Sequence, residues 1–264
     1  MVRGGRSLGI DVLAGLLVGL VIGGLGGRLV MRLIAVVAGP SVTGQVTANG
    51  NIIGEITAGG TLALVLFSGV ASGLLSGLLH AAARPSLPPS GARRALAFGL
   101  LLLAMLGYNV IDPENPDFRR FGSPLVNIGL FAALAVIFGG LVAWLSIRLQ
   151  RALAPGDGRW QRAVPRFALQ GGVAAALALG VLVIAMFVSS AVLTLAGVQA
   201  PIPIRDLGTA NSVVILLALG AACVARLPLA PAAGRVAFAI PALAGSWLIA
   251  TSIVRILGIM GISG

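Results

Sequence analysis

Arg28 and Arg32 are four positions apart inside a stretch that is otherwise apolar, GRLVMRLIAVV. On a helix this spacing places both guanidinium groups on one face, one turn apart. Planar guanidinium groups bind carboxylate and phosphate oxygens, so the pair could recognise an anion. Two other interpretations stay open, because each arginine could instead extend to lipid headgroups or form an ion pair within the protein.

Glu55 is the only charged residue in the polar, glycine-rich segment that follows, SVTGQVTANGNIIGEITAGG. It lies between two isoleucines, and a carboxylate in apolar surroundings needs a partner. We expect Glu55 to pair with Arg28 or Arg32. The Asn49–Gly50 dipeptide between β-prone runs indicates a two-residue hairpin turn. The segment therefore predicts a small extracellular hairpin or re-entrant cap after the first helix.

Most polar residues inside the predicted helices lie in the halves that we assign to the outer side of the membrane. The inner halves hold little beyond Gln170, Asp11 and a few serines, with His80 at the inner edge. The outer set could line a vestibule with a preference for anions. Alternatively, it could form hydrogen bonds between helices, each contributing ~0.6 kcal/mol. The candidate ligand-binding residues are Arg28, Arg32, Glu55, Arg255, Asn109 and Asn211.

The chain offers few residues for catalysis, and we predict that it is not an enzyme. A hydrolase needs a nucleophile with a base within reach, and the single histidine, His80, lies among alanines at the inner edge. The single cysteine, Cys223, cannot make a multi-cysteine metal site. We therefore predict no catalytic residue, no metal site and no cofactor.

The amino-acid composition indicates that most of this chain is surrounded by lipid and not by water. Of 264 residues, 58% are hydrophobic and 9% are charged, whereas soluble domains have about 25% charged residues. Apolar runs of about 20 residues cross a bilayer, and they must be helical to satisfy their backbone groups. We predict one all-α membrane domain, residues 1–264, with seven transmembrane helices. Their approximate spans are 8–38, 60–83, 92–112, 124–149, 166–198, 208–227 and 235–260.

The arginines predict how the helices cross the membrane. All 18 basic residues are arginine, and with 38 glycines this composition is typical of a GC-rich bacterial genome. With a cytoplasmic N-terminus, twelve arginines fall in inner segments and three in outer connections, as the positive-inside rule requires. Seven spans then place the C-terminus outside. We expect a protein of the bacterial plasma membrane whose arginines contact anionic lipid headgroups on the cytoplasmic face, not nucleic acid.

Small residues recur every four positions on the first two predicted helices. Such stripes let two helix backbones approach closely, and serine hydroxyls beside them could bond across the contact. We expect the first two helices to pack together within one chain, with a homodimer contact as the alternative. The segment GGLGG at 23–27 could also break the first helix. The predicted packing residues are Gly15, Gly19, Gly23, Gly27, Gly69, Gly73 and Gly77.

Two functions are compatible with this pattern. The first is a structural or accessory membrane protein that binds lipids, a membrane-protein partner or a second copy of itself. The second is a channel or carrier for a small anionic or amphipathic solute that uses the outer polar vestibule. A structure distinguishes them in part, because a carrier requires the candidate ligand-binding residues to converge.

Overall fold

The computed structural model describes residues 2–47, 52–53, 64–89, 91–153, 209–225 and 231–258, with isolated positions between 178 and 196. This part of the chain is helical apart from its loops and one isolated β-bridge. It contains four helices that are long and apolar enough to cross a membrane: Ser7–Ala38, Gly91–Asn109, Pro124–Ala152 and Ala232–Leu257. The predicted span 166–198 lies outside the described residues except for the isolated positions.

The first helix is continuous, so the break that GGLGG made conceivable does not occur. Helix α1 (Val2–Val18) passes into a π-helical segment, π1 (Gly19–Gly26), and then into α2 (Gly27–Ala38). The backbone remains in the right-handed helical region at both junctions. The helix ends at Gly39, where φ is 86°, a conformation that glycine adopts without steric cost.

The second helix has the same two-part construction. A π-helical segment, π2 (Leu64–Val70), precedes helix α3 (Ala71–Ala83), and a 3-10 turn follows at Arg84–Ser86. The two π-helical segments contact each other, and α1 contacts α3. The wide turns therefore lie side by side at the same level of the bundle.

The glycine stripes of these two helices face each other. A Cβ added to Gly15 would overlap the carbonyl oxygen of Gly73 and lie 2.8 Å from the Cα of Gly77. Gly19 likewise faces Gly69, and a Cβ there would lie 2.7 Å from the Cα of Gly73. The seam is thus filled by the chain's own second helix.

The serine beside the seam bonds differently from our expectation. The Ser76 hydroxyl donates to the carbonyl oxygen of Gly73 in its own helix, at 2.9 Å, instead of across the contact. At Ser76, the small residues therefore provide close backbone approach, while the hydroxyl bonds within its own helix.

Two further pairs of helices in the described ranges pack by similar close contacts. A Cβ on Gly139 would lie 2.8 Å from the Cα of Gly99, and one on Gly245 would lie 3.0 Å from the Cα of Met105. The last helix continues through Pro241. The helices that follow α3 in the described ranges are α4 (Gly91–Leu106), α5 (Asp117–Arg120), α6 (Pro124–Ala152), α7 (Thr209–Val224) and α8 (Pro231–Leu257). A 3-10 turn at Gly107–Asn109 follows α4.

Among the described residues, the bundle has one large apolar core and two smaller apolar clusters, and its two ends differ chemically. Leu79, Phe98, Met105 and Val142 are among the buried residues at the centre of that core. One end, called the basic end below, carries Arg84, Arg93, Arg94, Arg148, Arg151 and Arg235. The opposite end carries Asn109, Arg119 and Arg255, together with the segment after α2.

The segment after α2 is paired across the predicted hairpin. Val46 and Ile52 form an isolated antiparallel bridge. The amide of Gly44 donates to the Ile53 carbonyl at 3.0 Å, and the Ile53 amide donates to the Gln45 carbonyl at 2.9 Å. The turn itself, at 49–50, lies outside the described residues.

Candidate functional site

A buried polar cluster at the basic end is built around Asp11 of α1. The Asp11 side chain is fully buried. Its Oδ1 atom accepts hydrogen bonds from the Ser146 hydroxyl and, at 2.7 Å, from the Gln150 side-chain amide, both on α6. Gly77 of α3 makes room for this arrangement, because a Cβ there would lie 2.6 Å from the Asp11 carbonyl oxygen. Three helices therefore meet at one carboxylate.

The end of the second helix contributes the cationic partner. The Arg84 Nη1 atom lies 3.5 Å from Asp11 Oδ2, and Arg84 Nη2 donates to the Ser7 hydroxyl at 3.1 Å. One turn earlier on the same helix, His80 Nδ1 lies 3.4 Å from Asp11 Oδ1. Ser7 and Asp11 are four residues apart, as are His80 and Arg84. The two helices thus face each other with matching one-turn pairs.

The centre of the cluster, Asp11, His80 and Ser146, is buried, whereas Ser7, Arg84 and Gln150 at its edge are partly exposed. Asp11 and His80 have no exposed side-chain surface, whereas the Arg84 side chain is 28% exposed. Asp11 Oδ2 and both ring nitrogens of His80 are buried without a hydrogen-bond partner among the described residues. The His80 ring packs edge-on against Phe98, with centroids 4.9 Å apart. Asp11 and Arg84 balance each other's charge, so the cluster needs no external ion.

The order of contacts in the cluster does not fit nucleophilic catalysis. A serine–histidine–aspartate triad places the histidine between the hydroxyl and the carboxylate. Here the carboxylate of Asp11 lies between Ser146 and His80, and neither imidazole nitrogen has a hydrogen-bond partner among the described residues. Arg84 occupies the free side of the carboxylate, where its charge opposes a metal cation. The geometry can therefore fix three helices together, but it does not activate a nucleophile.

The cluster differs from our expectation that buried polar groups concentrate near the outer side. In the sequence, Asp11 and His80 stand as isolated polar residues, because each is surrounded by apolar or small residues. A signal was nevertheless present. Polar pairs four residues apart recur near the predicted inner ends of three spans: Ser7 with Asp11, His80 with Arg84, and Ser146 with Gln150.

At the opposite end, Arg255 is partnered by an acid. Its Nη1 atom lies 3.6 Å from Glu114 Oε1, and both side chains are largely exposed. Arg119 Nη2 donates to the Arg255 carbonyl oxygen at 2.6 Å. Asn109 is exposed and donates to the Leu106 carbonyl at 3.1 Å. Arg255, Glu114 and Arg119 form a superficial network around the end of α8, and Asn109 bonds to the backbone of the turn after α4.

Arg28 and Arg32 are not part of that network. In the described ranges, no hydrogen bond or ion pair joins either of them to Arg255 or Asn109. Arg32 is exposed, whereas Arg28 is half-buried and its Nε atom is buried without a partner among the described residues. Glu55 and the side chain of Asn211 lie outside the described residues. The predicted pairing of Glu55 with Arg28 or Arg32 therefore stays a prediction.

Other polar residues of the outer set bond to nearby backbone. The Asn127 amide donates to the carbonyl oxygens of Phe118 and Phe121, at 3.3 and 2.7 Å. Thr251 and Ser252 both donate to the Leu248 carbonyl in their own helix. These contacts stabilise loops and helix turns. The three side chains bond to backbone carbonyls near them and do not converge on a shared vestibule.

Comparison with known proteins adds no assignment to this geometry. The chain matches no protein-family model, no curated protein and no solved structure. The buried cluster, the basic end and the arginines of the opposite end are thus the features that bear on function.

Proposed function

We propose that the chain is a seven-span protein of the bacterial plasma membrane with a structural or accessory role. One observation carries the proposal: the fully buried charge of Asp11 is compensated inside the chain, by Ser146, Gln150 and Arg84. A carboxylate with its partners already in place holds helices together and is not free for a substrate. The Ser146–Asp11–His80 order also supports a non-enzymatic role.

The proposed orientation has the N-terminus in the cytoplasm and the C-terminus outside. It is supported by the distribution of arginines, because the described arginines of the predicted inner segments fall at the basic end of the bundle. A single cysteine makes the orientation measurable. In a Cys223→Ser background, Ala92→Cys marks the basic end and Ser123→Cys marks the opposite end, and both positions are exposed.

We expect a membrane-impermeant maleimide to label Ser123→Cys in intact cells and Ala92→Cys only after lysis. The reverse pattern would overturn the proposed orientation. Labelling of both positions in intact cells would contradict the placement of the two ends on opposite sides of the membrane.

The proposed accessory role uses the exposed arginines of the basic end. Arg93, Arg148, Arg151 and Arg235 are exposed at the basic end and are available to anionic headgroups, each worth about 1 kcal/mol near such a surface. Since the glycine seam is covered by the chain's own helix, a membrane-protein partner or a second copy must use another face.

Arg28 favours a second candidate, a channel or carrier for a small anionic solute. A half-buried guanidinium whose Nε atom has no partner among the described residues is a position where an anion could bind. Arg32 is the matched control, because it lies one turn away and is exposed.

Flux in proteoliposomes separates the two candidates. For an accessory protein, uptake of chloride, phosphate and small carboxylates should equal that of empty liposomes. For a carrier, uptake by the wild-type protein should exceed that background, Arg28→Gln should abolish the excess, and Arg32→Gln should retain it. Flux that depends on Arg28 would replace the accessory role with the carrier.

A further inference from the structure

A pocket of about 270 Å³ lies at the basic end, between the turn after α3 and the helices α4 and α8. Its walls are mainly apolar and include Leu87, Leu101 and Phe238. Two polar side chains, Ser86 and Arg235, also line it. The pocket does not include any member of the Asp11 cluster, so it is a separate feature of this end.

The pocket opens between helix faces that are exposed and apolar. Ala239 lines the pocket and is itself exposed. Leu100 of α4 and Ile240 of α8, each next in sequence to a residue that lines the pocket, are 50% and 55% exposed. In a membrane such faces contact lipid chains, so an occupant would enter from the bilayer side.

Positive charge lies beside the opening. Arg235 is exposed on the first turns of α8. The Arg94 Nε atom donates to the carbonyl oxygen of Pro88, at 2.9 Å, and Pro88 lines the pocket. Among the described residues that line the pocket, none is acidic. The site therefore combines an apolar wall with cationic groups at one end.

These features define the chemistry of the occupant. An apolar wall with cationic groups at one end matches part of an anionic amphiphile. A free phosphate would make no use of the apolar wall. Basic pockets between membrane helices on the cytoplasmic side bind anionic headgroups, and a guanidinium pairs with two phosphate oxygens at once.

We propose that this pocket binds one anionic phospholipid. An acyl-chain segment lies along Leu87, Leu101 and Phe238, and the phosphate group contacts Arg235 and the Ser86 hydroxyl. The inference rests on the proposed membrane function, because it assumes that α4 and α8 face lipid. It makes that function more specific, because it assigns one binding site to an anionic lipid that would otherwise contact any of the arginines of the basic end.

Native mass spectrometry of the full chain in detergent micelles tests the site with phosphatidylglycerol as the anionic probe and phosphatidylcholine as the zwitterionic one. We expect one phosphatidylglycerol to bind at least about tenfold more tightly than phosphatidylcholine. Arg235→Gln should abolish most of that preference. Arg148→Gln is the matched control, because Arg148 lies over Trp144 at the same end and does not line the pocket.

A second variant tests the apolar wall. Ala239→Leu enlarges an exposed side chain of the wall, so it should fold while reducing binding of phosphatidylglycerol. The proposal would be overturned if both lipids bound with equal affinity, or if Arg235→Gln and Arg148→Gln reduced the preference for phosphatidylglycerol equally. It would also be overturned if soluble glycerol phosphate displaced the bound phosphatidylglycerol completely. Both ends are accessible in micelles, so this result is independent of the orientation, which the cysteine labelling tests separately.

Discussion

The Nδ1 atom of His80 lies 3.4 Å from the Oδ1 atom of Asp11, with both side chains completely buried. This distance exceeds that of a normal N–H···O hydrogen bond, and Oδ1 already accepts from Ser146 and Gln150. His80 therefore contributes mainly packing, whereas Ser146, Gln150 and Arg84 compensate the charge. The two kinds of contribution predict different consequences of mutation.

Asp11→Ala should lower the free energy of unfolding by about 3 kcal/mol. Breaking a buried ion pair by removing one partner typically has this effect, and the donors of Ser146 and Gln150 also lose their acceptor. The loss of stability is smaller than for a fully buried ion pair, because Arg84 is 28% exposed and water can solvate its guanidinium group. Equilibrium denaturation in mixed micelles measures the change.

A double-mutant cycle provides the control for this prediction. Asp11 and Ser146 share a hydrogen bond, so Asp11→Ala combined with Ser146→Ala should be less destabilising than the sum of the single changes, with a coupling of about 0.5–3 kcal/mol. Additive effects would contradict the contact between the two side chains.

His80→Leu should change the free energy of unfolding by less than about 1.5 kcal/mol. The substitution roughly conserves volume in a packed position, and the two ring nitrogens have no hydrogen-bond partner to lose among the described residues. The same denaturation assay applies. A loss as large as that of Asp11→Ala would show instead that His80 is a charged partner of the carboxylate.

The helical class and most element boundaries follow from the sequence because both depend on local properties. Apolar runs of sufficient length must be helices in lipid. The predicted start at 124 and the end at 38 agree with Pro124–Ala152 and Ala38, since proline and glycine mark these points. The π-helical segment at Gly19–Gly26 was not predicted, because its wide turns face the similar segment of a distant part of the chain.

The Asp11 cluster could be predicted only in fragments. Each of its one-turn pairs is visible in the sequence, but Asp11 and Ser146 are 135 positions apart, and no local pattern joins them. A second property that a local pattern leaves undetermined is the face of the bundle on which the outer residues lie. Arg28, Arg32 and Arg255 share a predicted depth, yet depth does not fix which face of the bundle a side chain occupies.

Gly77→Ala should destabilise the protein by about 1–3 kcal/mol through overpacking. The added Cβ would lie 2.6 Å from the Asp11 carbonyl oxygen and 2.8 Å from the Cα of Val12, and backbone atoms cannot move aside. Gly220→Ala on α7 is the control, because nothing lies within 4 Å of its Cβ. That change should stabilise by up to about 1 kcal/mol through helix propensity. Similar effects at both positions would mean that the close contact between α1 and α3 does not exist.

Arg28→Met should leave the midpoint of thermal unfolding in micelles unchanged or raise it. A buried donor without a partner costs about 1–3 kcal/mol, and Met retains the apolar stem of the side chain. Arg32→Met is the control and should change stability by no more than about 0.5 kcal/mol, because Arg32 is exposed. A clear decrease for Arg28→Met would reveal a partner such as Glu55. An increase accompanied by loss of anion flux would instead identify Arg28 as a residue retained for transport at the expense of stability.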